Sequence, residues 1–178
     1  MLNIYINTWG NYNEHGADGG KWFALPMSED ELIEAMDELA EAMGDHDPEF
    51  FVNDYEWVGE VTPNVNIGEH DNILDLNAKL EEIDGFDEYE QKALCAILEA
   101  WSNDLDQAIR VVSRGNFTFY EGMTLEEVAE EIVSECYLPN TAKNSDIEFF
   151  ARYFDYEAFA RDLGFDGYTE TEWGVICE

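Results

Sequence analysis

The glycine-rich segment from Gly16 to Lys21 is the first part of the chain whose residues could do chemistry, because such segments can cradle phosphates. A P-loop needs a Gly five residues before its second Gly and a Ser or Thr directly after its Lys. His15 and Trp22 occupy those two positions, and Asp18 would repel a phosphate. The segment therefore predicts a turn.

Two short acidic segments, 45–49 and 69–71, each contain a histidine and could coordinate a metal ion. Neither has the alternating acids and Gly of a calcium loop, nor the paired His or Cys ligands of a zinc site. With 42 Asp and Glu in 178 residues, such triplets arise by chance. We expect no metal site and no cofactor, and no Ser or Cys lies in a nucleophile-elbow motif.

Carboxylates are the functional groups that the chain has in excess, since it contains 42 Asp and Glu and only 8 Lys and Arg, which gives a net charge of −34. A carboxylate pair could hydrolyse glycosides, but this many acids guarantee pairs, so a pair carries no information. Acid catalysis also needs one carboxyl in an apolar pocket, and no segment indicates one. We therefore expect no enzyme activity. The charge also argues against binding nucleic acid, nucleotide phosphates or anionic membranes.

The composition is nevertheless that of a folded protein, with 46% hydrophobic and 14% aromatic residues. No apolar run approaches the length of a membrane span, and no pattern of a secretory signal is present. The three cysteines have no paired spacing. We expect a reduced, cytoplasmic protein.

The segment from Ser28 to Met43 predicts an acidic helix that begins with a capping box between Ser28 and Glu31. Its predicted apolar face comprises Leu32, Ile33, Met36, Leu39, Ala40 and Met43, and the opposite face comprises Glu34, Asp37, Glu38 and Glu41. No Lys lies four residues from any of these acids, so like charges repel where ion pairs could have formed. This repulsion lowers the stability of the helix and supports no structural contact, which indicates that the acidic face serves a function.

Helices and strands are both predicted elsewhere, so the fold class is α+β. A half-buried strand is predicted at 2–7, where the apolar Leu2, Ile4 and Ile6 alternate with the outward-facing Asn3, Tyr5 and Asn7. Further strands are predicted at 21–25, 50–58 and 116–120, with a final strand or hairpin at 168–177 and a loop at 10–20. Helices are predicted at 71–83, with Ile73, Leu76, Leu80 and Ile83 on one face, and at 87–101, with Asp87 and Glu90 as the cap. Others are predicted at 104–112 and at 124–136, where Thr124 and Glu127 form the cap, and acidic, aromatic-rich helices are predicted at 146–163.

Turn-rich points divide the chain into three acidic pieces, which predict an α/β N-terminal domain (1–61), a helical middle domain (62–103) and an α+β C-terminal domain (104–178). Pieces this small bury little core alone, so we expect them to abut one another.

Duplex DNA carries one charge per about 1.7 Å of axis, so 34 charges correspond to about 58 Å of duplex. A compact chain of this length is only about 40 Å across. An elongated chain of three domains would match the duplex, and we hypothesise a decoy for DNA-binding proteins.

Residue patterns over nearly the whole chain resemble those of one protein family. The N-terminal pattern is Ile4-Tyr5, Tyr12-Asn13, Gly16, Gly20, Trp22, Leu25-Pro26 and Asp54-Tyr55-Glu56. The middle pattern runs from Leu74 to Leu98 and includes Leu76-Asn77 and Leu80-Glu81-Glu82, and the last pattern is Asp155 to Leu163 followed by Tyr168 to Thr171. Together these patterns resemble the ArdA antirestriction proteins.

The resemblance implies an elongated α+β protein of three domains that forms a homodimer through its C-terminal domain and imitates bent B-form DNA. It implies that the partner is a type I restriction–modification enzyme, whose DNA-binding groove the protein occupies, and that the gene travels on conjugative elements. The loop at 140–146 does not match a short antirestriction motif, and no individual active site is carried over.

We therefore predict a distributed partner-binding surface without a catalytic, cofactor or metal site. Its candidate residues are Glu34, Asp37, Glu38, Glu41, Asp54, Glu56, Glu81, Glu82, Asp87, Glu88, Glu126, Glu127, Glu130 and Glu131. One alternative is an acidic interaction module, or a halophilic-type cytosolic protein whose charge serves solubility alone. Another is an enzyme with a carboxylate pair, in which a single Asp or Glu substitution would abolish activity.

Overall fold

The computed structural model describes residues 1–101, 103–137, 149–150 and 152–177. These residues form helices and two separate three-stranded antiparallel sheets, which confirms the α+β class. The chain divides into two compact units, Met1–Gln91 and Lys92–Glu178. The division into three domains stays a prediction, and the loop at 140–146 lies outside the described residues. Of the helices predicted at 146–163, residues 146–148 and 151 also lie outside them, residues 152–155 are not helical, and a helix begins at Tyr156.

The first sheet has the order β2-β1-β3 and consists of β1 (Leu2–Thr8), β2 (Lys21–Leu25) and β3 (Phe50–Trp57). All three strands were predicted, and Leu2, Ile4 and Ile6 on β1 are fully buried as the alternation indicates. Asn7 was expected on the outer face and is also buried, so that expectation was wrong. Its Oδ1 accepts hydrogen bonds from the Thr8 amide (2.8 Å) and the Asn11 side chain (2.9 Å), which compensate its burial.

Helix α1 (Trp9–His15) lies where the sequence predicted a loop. The loop was expected because Gly and Asn are poor helix formers. Here polar side chains support the helix instead: the Thr8 hydroxyl accepts the Asn11 amide N–H (3.2 Å), and the Asn11 side chain donates to the Asp18 carbonyl (2.7 Å). The turn after α1 includes Gly16, whose φ of +69° favours glycine.

Helix α2 (Glu29–Met43) confirms the predicted acidic helix, and the Ser28 hydroxyl caps it by accepting the Glu31 amide N–H. The Glu31 carboxylate accepts from the Ser28 hydroxyl (2.6 Å), not from the Ser28 backbone, so only half of the predicted capping box forms. Three residues of the predicted apolar face are buried, and Met36 and Met43 are half-buried. Ile33 was assigned to that face but is 39% exposed. It lies about 100° around the helix from Leu32, at the edge of the apolar stripe.

Helix α3 (Ile73–Asp84) buries the four apolar residues that the sequence predicted for its inner face. Asn77 is buried beside them, only 2% exposed. Its side chain donates to the Met27 carbonyl (2.7 Å) and accepts from the Met27 amide (3.0 Å), which ties α3 to the turn before α2. The next helix, α4 (Glu88–Ala100), begins with the predicted reciprocal cap between Asp87 and Glu90 and buries every residue of 93–98.

The remaining elements are α5 (Leu105–Arg114), β4 (Thr118–Glu121), α6 (Leu125–Ile132), α7 (Tyr156–Phe165), β5 (Thr169–Thr171) and β6 (Gly174–Cys177). The three strands form the second sheet, which has the order β4-β6-β5, and all of its central strand is buried. The predicted helix at 124–136 begins with its capping box at Thr124, but its last turn, Val133–Tyr137, is π-helical. Helices α6 and α7 pack on β6 around Val128, Ala160 and Val175.

Candidate partner-binding surface

Four carboxylates form a row along the outer face of α2, which we call the α2 acidic row: Glu34, Asp37, Glu38 and Glu41. All four side chains are exposed, and their spacing of three, one and three residues keeps them on one side of the helix. None of them forms an ion pair with a residue that the structure describes. The row is therefore available to a cationic partner.

The linear charge density of the α2 acidic row resembles that of one DNA strand. A helix rises 1.5 Å per residue, so the seven-residue interval from Glu34 to Glu41 spans about 10.5 Å and averages one charge per about 3.5 Å. A single strand of B-DNA carries one charge per about 3.4 Å of axis. A groove that binds phosphates would meet a comparable density of anions here.

The other candidate acids of the first unit lie on β3, on α3 and at the start of α4. Asp54 and Glu56 are exposed two residues apart on β3, opposite Tyr5 and Asn3 of β1. The Asp54 carboxylate accepts the Tyr55 amide N–H at 2.8 Å. The other candidates of this group are also exposed: Glu81, Glu82, Asp87 and Glu88.

Two of the candidate acids stabilise helix N termini as well as facing solvent. Asp87 accepts the Glu90 amide N–H (2.9 Å), and Glu127 accepts the Thr124 amide N–H (2.8 Å). The hydrogen bond from the Thr124 backbone, and then the one from its hydroxyl, lowers the pKa of Glu127 because both favour the charged carboxylate. Substituting either acid would therefore change helix stability together with surface charge.

The candidate acids of the second unit lie on α6. Glu126, Glu127 and Glu130 are exposed, whereas Glu131 is half-buried and is the least exposed of the fourteen. Three of these carboxylates line one open pocket of about 500 Å³, together with Gly122, Met123, Ser134 and Tyr156. The structure thus groups the candidates into separate rows on helices and strands, ten in the first unit and four in the second.

Carboxyl groups throughout the described residues stay out of the core. None is buried; Asp45, Glu90 and Glu131 are half-buried, and the other Asp and Glu of the described ranges are exposed. Close ion pairs to Lys join Lys79 to Asp75 (2.8 Å) and Lys92 to Glu121 (2.6 Å). With only 8 basic residues against 42 acids in the chain, most carboxylates cannot be neutralised from within the molecule.

A pocket in the first unit was not predicted, because its walls come from α1 and β3. Trp9 of α1 stacks on Phe51 of β3 with ring centroids 4.0 Å apart, and Tyr12 approaches both rings edge-on. The sequence signal for α1 was Thr8, an N-cap residue directly before the apolar Trp9. The separation of 42 residues between Trp9 and Phe51 left no local pattern that could reveal their contact.

Titratable groups with altered pKa also occur inside the second unit. Burial, and to a lesser degree the charge of Glu172, raises the pKa of the Cys95 thiol to about 12. Burial also raises the pKa of Tyr168 to about 12, with further contributions from the neighbouring Cys177 and Tyr120. Cys136, by contrast, is exposed.

The described part of the chain contains no group of three His, Cys, Asp or Glu side chains placed to hold a metal ion. Over the same residues, none of the helices combines the length and the apolar character needed to cross a bilayer. His70 lies 3.3 Å from Glu69, and both side chains are exposed.

A small α+β scaffold that carries rows of exposed acids and few cations is typical of proteins that bind a cationic partner. The chain belongs to the ArdA antirestriction protein family, since the model of that family, described as "Antirestriction protein (ArdA)", matches residues 4–177. This membership implies an antirestriction function and an interaction with restriction enzymes. No curated protein matches the chain.

Proposed function

We propose that the protein is a DNA mimic that occupies the DNA-binding groove of a type I restriction–modification enzyme and blocks DNA binding by competition. Membership in the ArdA family supports the antirestriction part of this proposal. The α2 acidic row is the observation that carries the mimicry, because its four carboxylates are exposed, are not paired with any described residue and have the charge spacing of a phosphate strand.

A groove that binds DNA gains affinity from Lys and Arg side chains that replace counterions around phosphates. Carboxylates on a folded helix offer the same exchange, and the helix already fixes their backbone, so little backbone conformational entropy is lost on binding. This arrangement also explains why α2 tolerates repulsion between neighbouring acids. Many charges share the interaction, so single substitutions should have small effects.

The proposal includes several finer points. The protein acts in the cytoplasm and forms a homodimer through residues 104–178. Its three domains form an elongated particle, and its gene lies on a conjugative element. It acts as an inhibitor rather than as an enzyme and needs no cofactor. Small-angle scattering with an absolute mass tests both length and oligomeric state, and a round monomer would contradict them.

Competition for the restriction–modification enzyme tests the mimicry directly. A fluorescent duplex bound to a type I enzyme should be displaced by the protein, and the inhibition constant should rise steeply with salt because both partners release counterions. The absence of displacement at low salt would overturn the proposal and would favour an acidic surface that serves solubility alone.

Two matched variants separate charge from side-chain shape in the α2 acidic row. The first carries Glu34→Gln, Asp37→Asn, Glu38→Gln and Glu41→Gln and loses four charges. The second keeps all four charges by exchanging the acids, as Glu34→Asp, Asp37→Glu, Glu38→Asp and Glu41→Asp. The amide variant should displace duplex about tenfold less well and with a smaller salt slope, whereas the exchanged variant should stay close to wild type. If both variants inhibit equally well, α2 is not part of the binding surface.

A further inference from the structure

A pocket of about 290 Å³ opens at the surface of the first unit, where α1 meets β3. Aromatic side chains form much of its wall: Trp9 and Phe51 are stacked, Tyr12 contacts both rings edge-on, and Tyr55 lies further along β3. Its volume is at the lower end of the range for ligand pockets, about 300 Å³, which suits one side chain or a small molecule.

Two carboxylates lie among these aromatic residues. Asp54 and Glu69 both line the pocket, and both are exposed. The Val52 amide donates to the Glu69 carbonyl at 3.3 Å, so the segment that carries Glu69 is attached to β3. No Lys or Arg is among the described residues that line the pocket. The pocket thus combines negative charge with aromatic surface.

We propose that this pocket binds the guanidinium group of an arginine side chain from the partner protein. A guanidinium stacks on aromatic rings through its plane and pairs with carboxylates through its N–H donors, so it matches both the aromatic surface and the negative charge of the pocket. An ammonium would gain the charge but would lose the planar stacking. A duplex offers phosphates but no such aromatic pocket on its backbone, so this contact would distinguish the protein from the DNA that it replaces.

The origin of the arginine in a DNA-binding groove rests on the proposed function, but the pocket itself can be tested separately. Capped arginine (N-acetyl-arginine methylamide) is titrated into the full chain while the NMR resonances of Trp9 and Tyr55 are followed. Capped citrulline is the neutral control of the same shape, and capped lysine tests the ammonium. We expect saturable shifts with arginine, weaker binding of lysine and none of citrulline.

Two variants and one matched control place the binding in this pocket. Asp54→Asn removes a carboxylate from the lining, and Glu56→Gln removes the same charge two residues away, outside the lining. Tyr12→Leu removes an aromatic ring. Asp54→Asn should weaken arginine binding roughly two- to fivefold, Tyr12→Leu by a similar factor, and Glu56→Gln should leave it close to wild type.

The outcomes for this pocket and for the proposed function remain distinct. Equal shifts with citrulline, no saturable shift with arginine, or equal losses for Asp54→Asn and Glu56→Gln would overturn the arginine pocket. If wild type displaces duplex from the restriction–modification enzyme but Asp54→Asn and Tyr12→Leu displace it equally well, the pocket takes no part in the interaction and DNA mimicry still stands. If wild type displaces nothing, DNA mimicry fails, and the arginine titration still decides the pocket.

Discussion

Glu38 at the centre of the α2 acidic row offers a test in which stability and function should move in opposite directions. It lies four residues after Glu34 and three before Glu41, and all three side chains are exposed. The substitution Glu38→Lys replaces two repulsive pairs by two attractive ones. An acid that precedes a lysine by four residues, as Glu34 then would, is the favourable orientation of such a pair. The variant should therefore be more stable than wild type and a weaker inhibitor.

The magnitude follows from the spacing along the helix. Each like-charge pair at three or four residues costs about 0.2–0.5 kcal/mol, and each opposite pair contributes a similar amount. Two pairs change sign, and solvent screens them, so we expect a gain of about 1 kcal/mol. Helix propensity contributes little because Glu, Gln and Lys are nearly equal. For a chain of this size the melting temperature should rise by about 2–4 °C.

Urea unfolding followed by circular dichroism at low salt and again near 1 M salt measures this gain. Glu38→Gln is the matched control, which only removes repulsion and should give about half the effect. Near 1 M salt, where the screening length is about 3 Å, the variants should converge on wild type. A Glu38→Lys protein no more stable than wild type at low salt, or a gain that persists in high salt, would refute the idea that the row is under electrostatic strain.

Three further predictions concern stability and reactivity. Asn77→Ala removes a buried side chain that bonds both the amide and the carbonyl of the half-buried Met27, and the free energy of unfolding in urea should fall by about 1–3 kcal/mol. A loss below about 0.5 kcal/mol would contradict this role. The pKa of Glu127 is lowered in the folded state, so wild type should be more stable than Glu127→Gln. This difference in the free energy of unfolding should be greatest above about pH 5 and should shrink as the pH falls through the carboxyl range. A difference that does not change with pH would be inconsistent with the cap. Cys136 is exposed and should react first with a thiol reagent near pH 8. Cys95 is buried, with a pKa raised to about 12, and should react only when the protein unfolds. Mass spectrometry of the labelled peptides measures the order, and labelling of Cys95 before Cys136 would contradict the prediction.

Elements with both a local cap and a continuous apolar stripe could be predicted from the sequence. α2 begins at the Ser28 cap and α6 at the capping box of Thr124 and Glu127, and the sequence placed both starts to within one residue. The first sheet was equally clear, because its strands alternate or end at a turn residue such as Pro26. In these cases local preference and tertiary packing agree.

Features that depend on distant contacts could not be predicted. α1 has a composition typical of a loop, and its helix depends on side chains of Asn7 and Asn11 that bond across the turn. Ile33 has an apolar side chain but faces solvent, which hydrophobic periodicity alone does not resolve. The aromatic pocket requires Trp9 and Phe51 to meet. Helical periodicity was enough to predict the α2 acidic row, whereas the half-burial of Glu131 became visible only in the structure.

No carboxylate of the described residues lies in the core, so the residues that stabilise the fold are different from those that give the surface its charge. Apolar side chains set the stability of the fold, while the acids outside the helix caps can change without leaving a cavity or an unsatisfied buried group. Under selection from restriction systems that diversify, such a protein could remodel its electrostatic pattern stepwise and remain folded at each step. Variation among natural sequences should therefore concentrate in acidic surface positions that cap no helix.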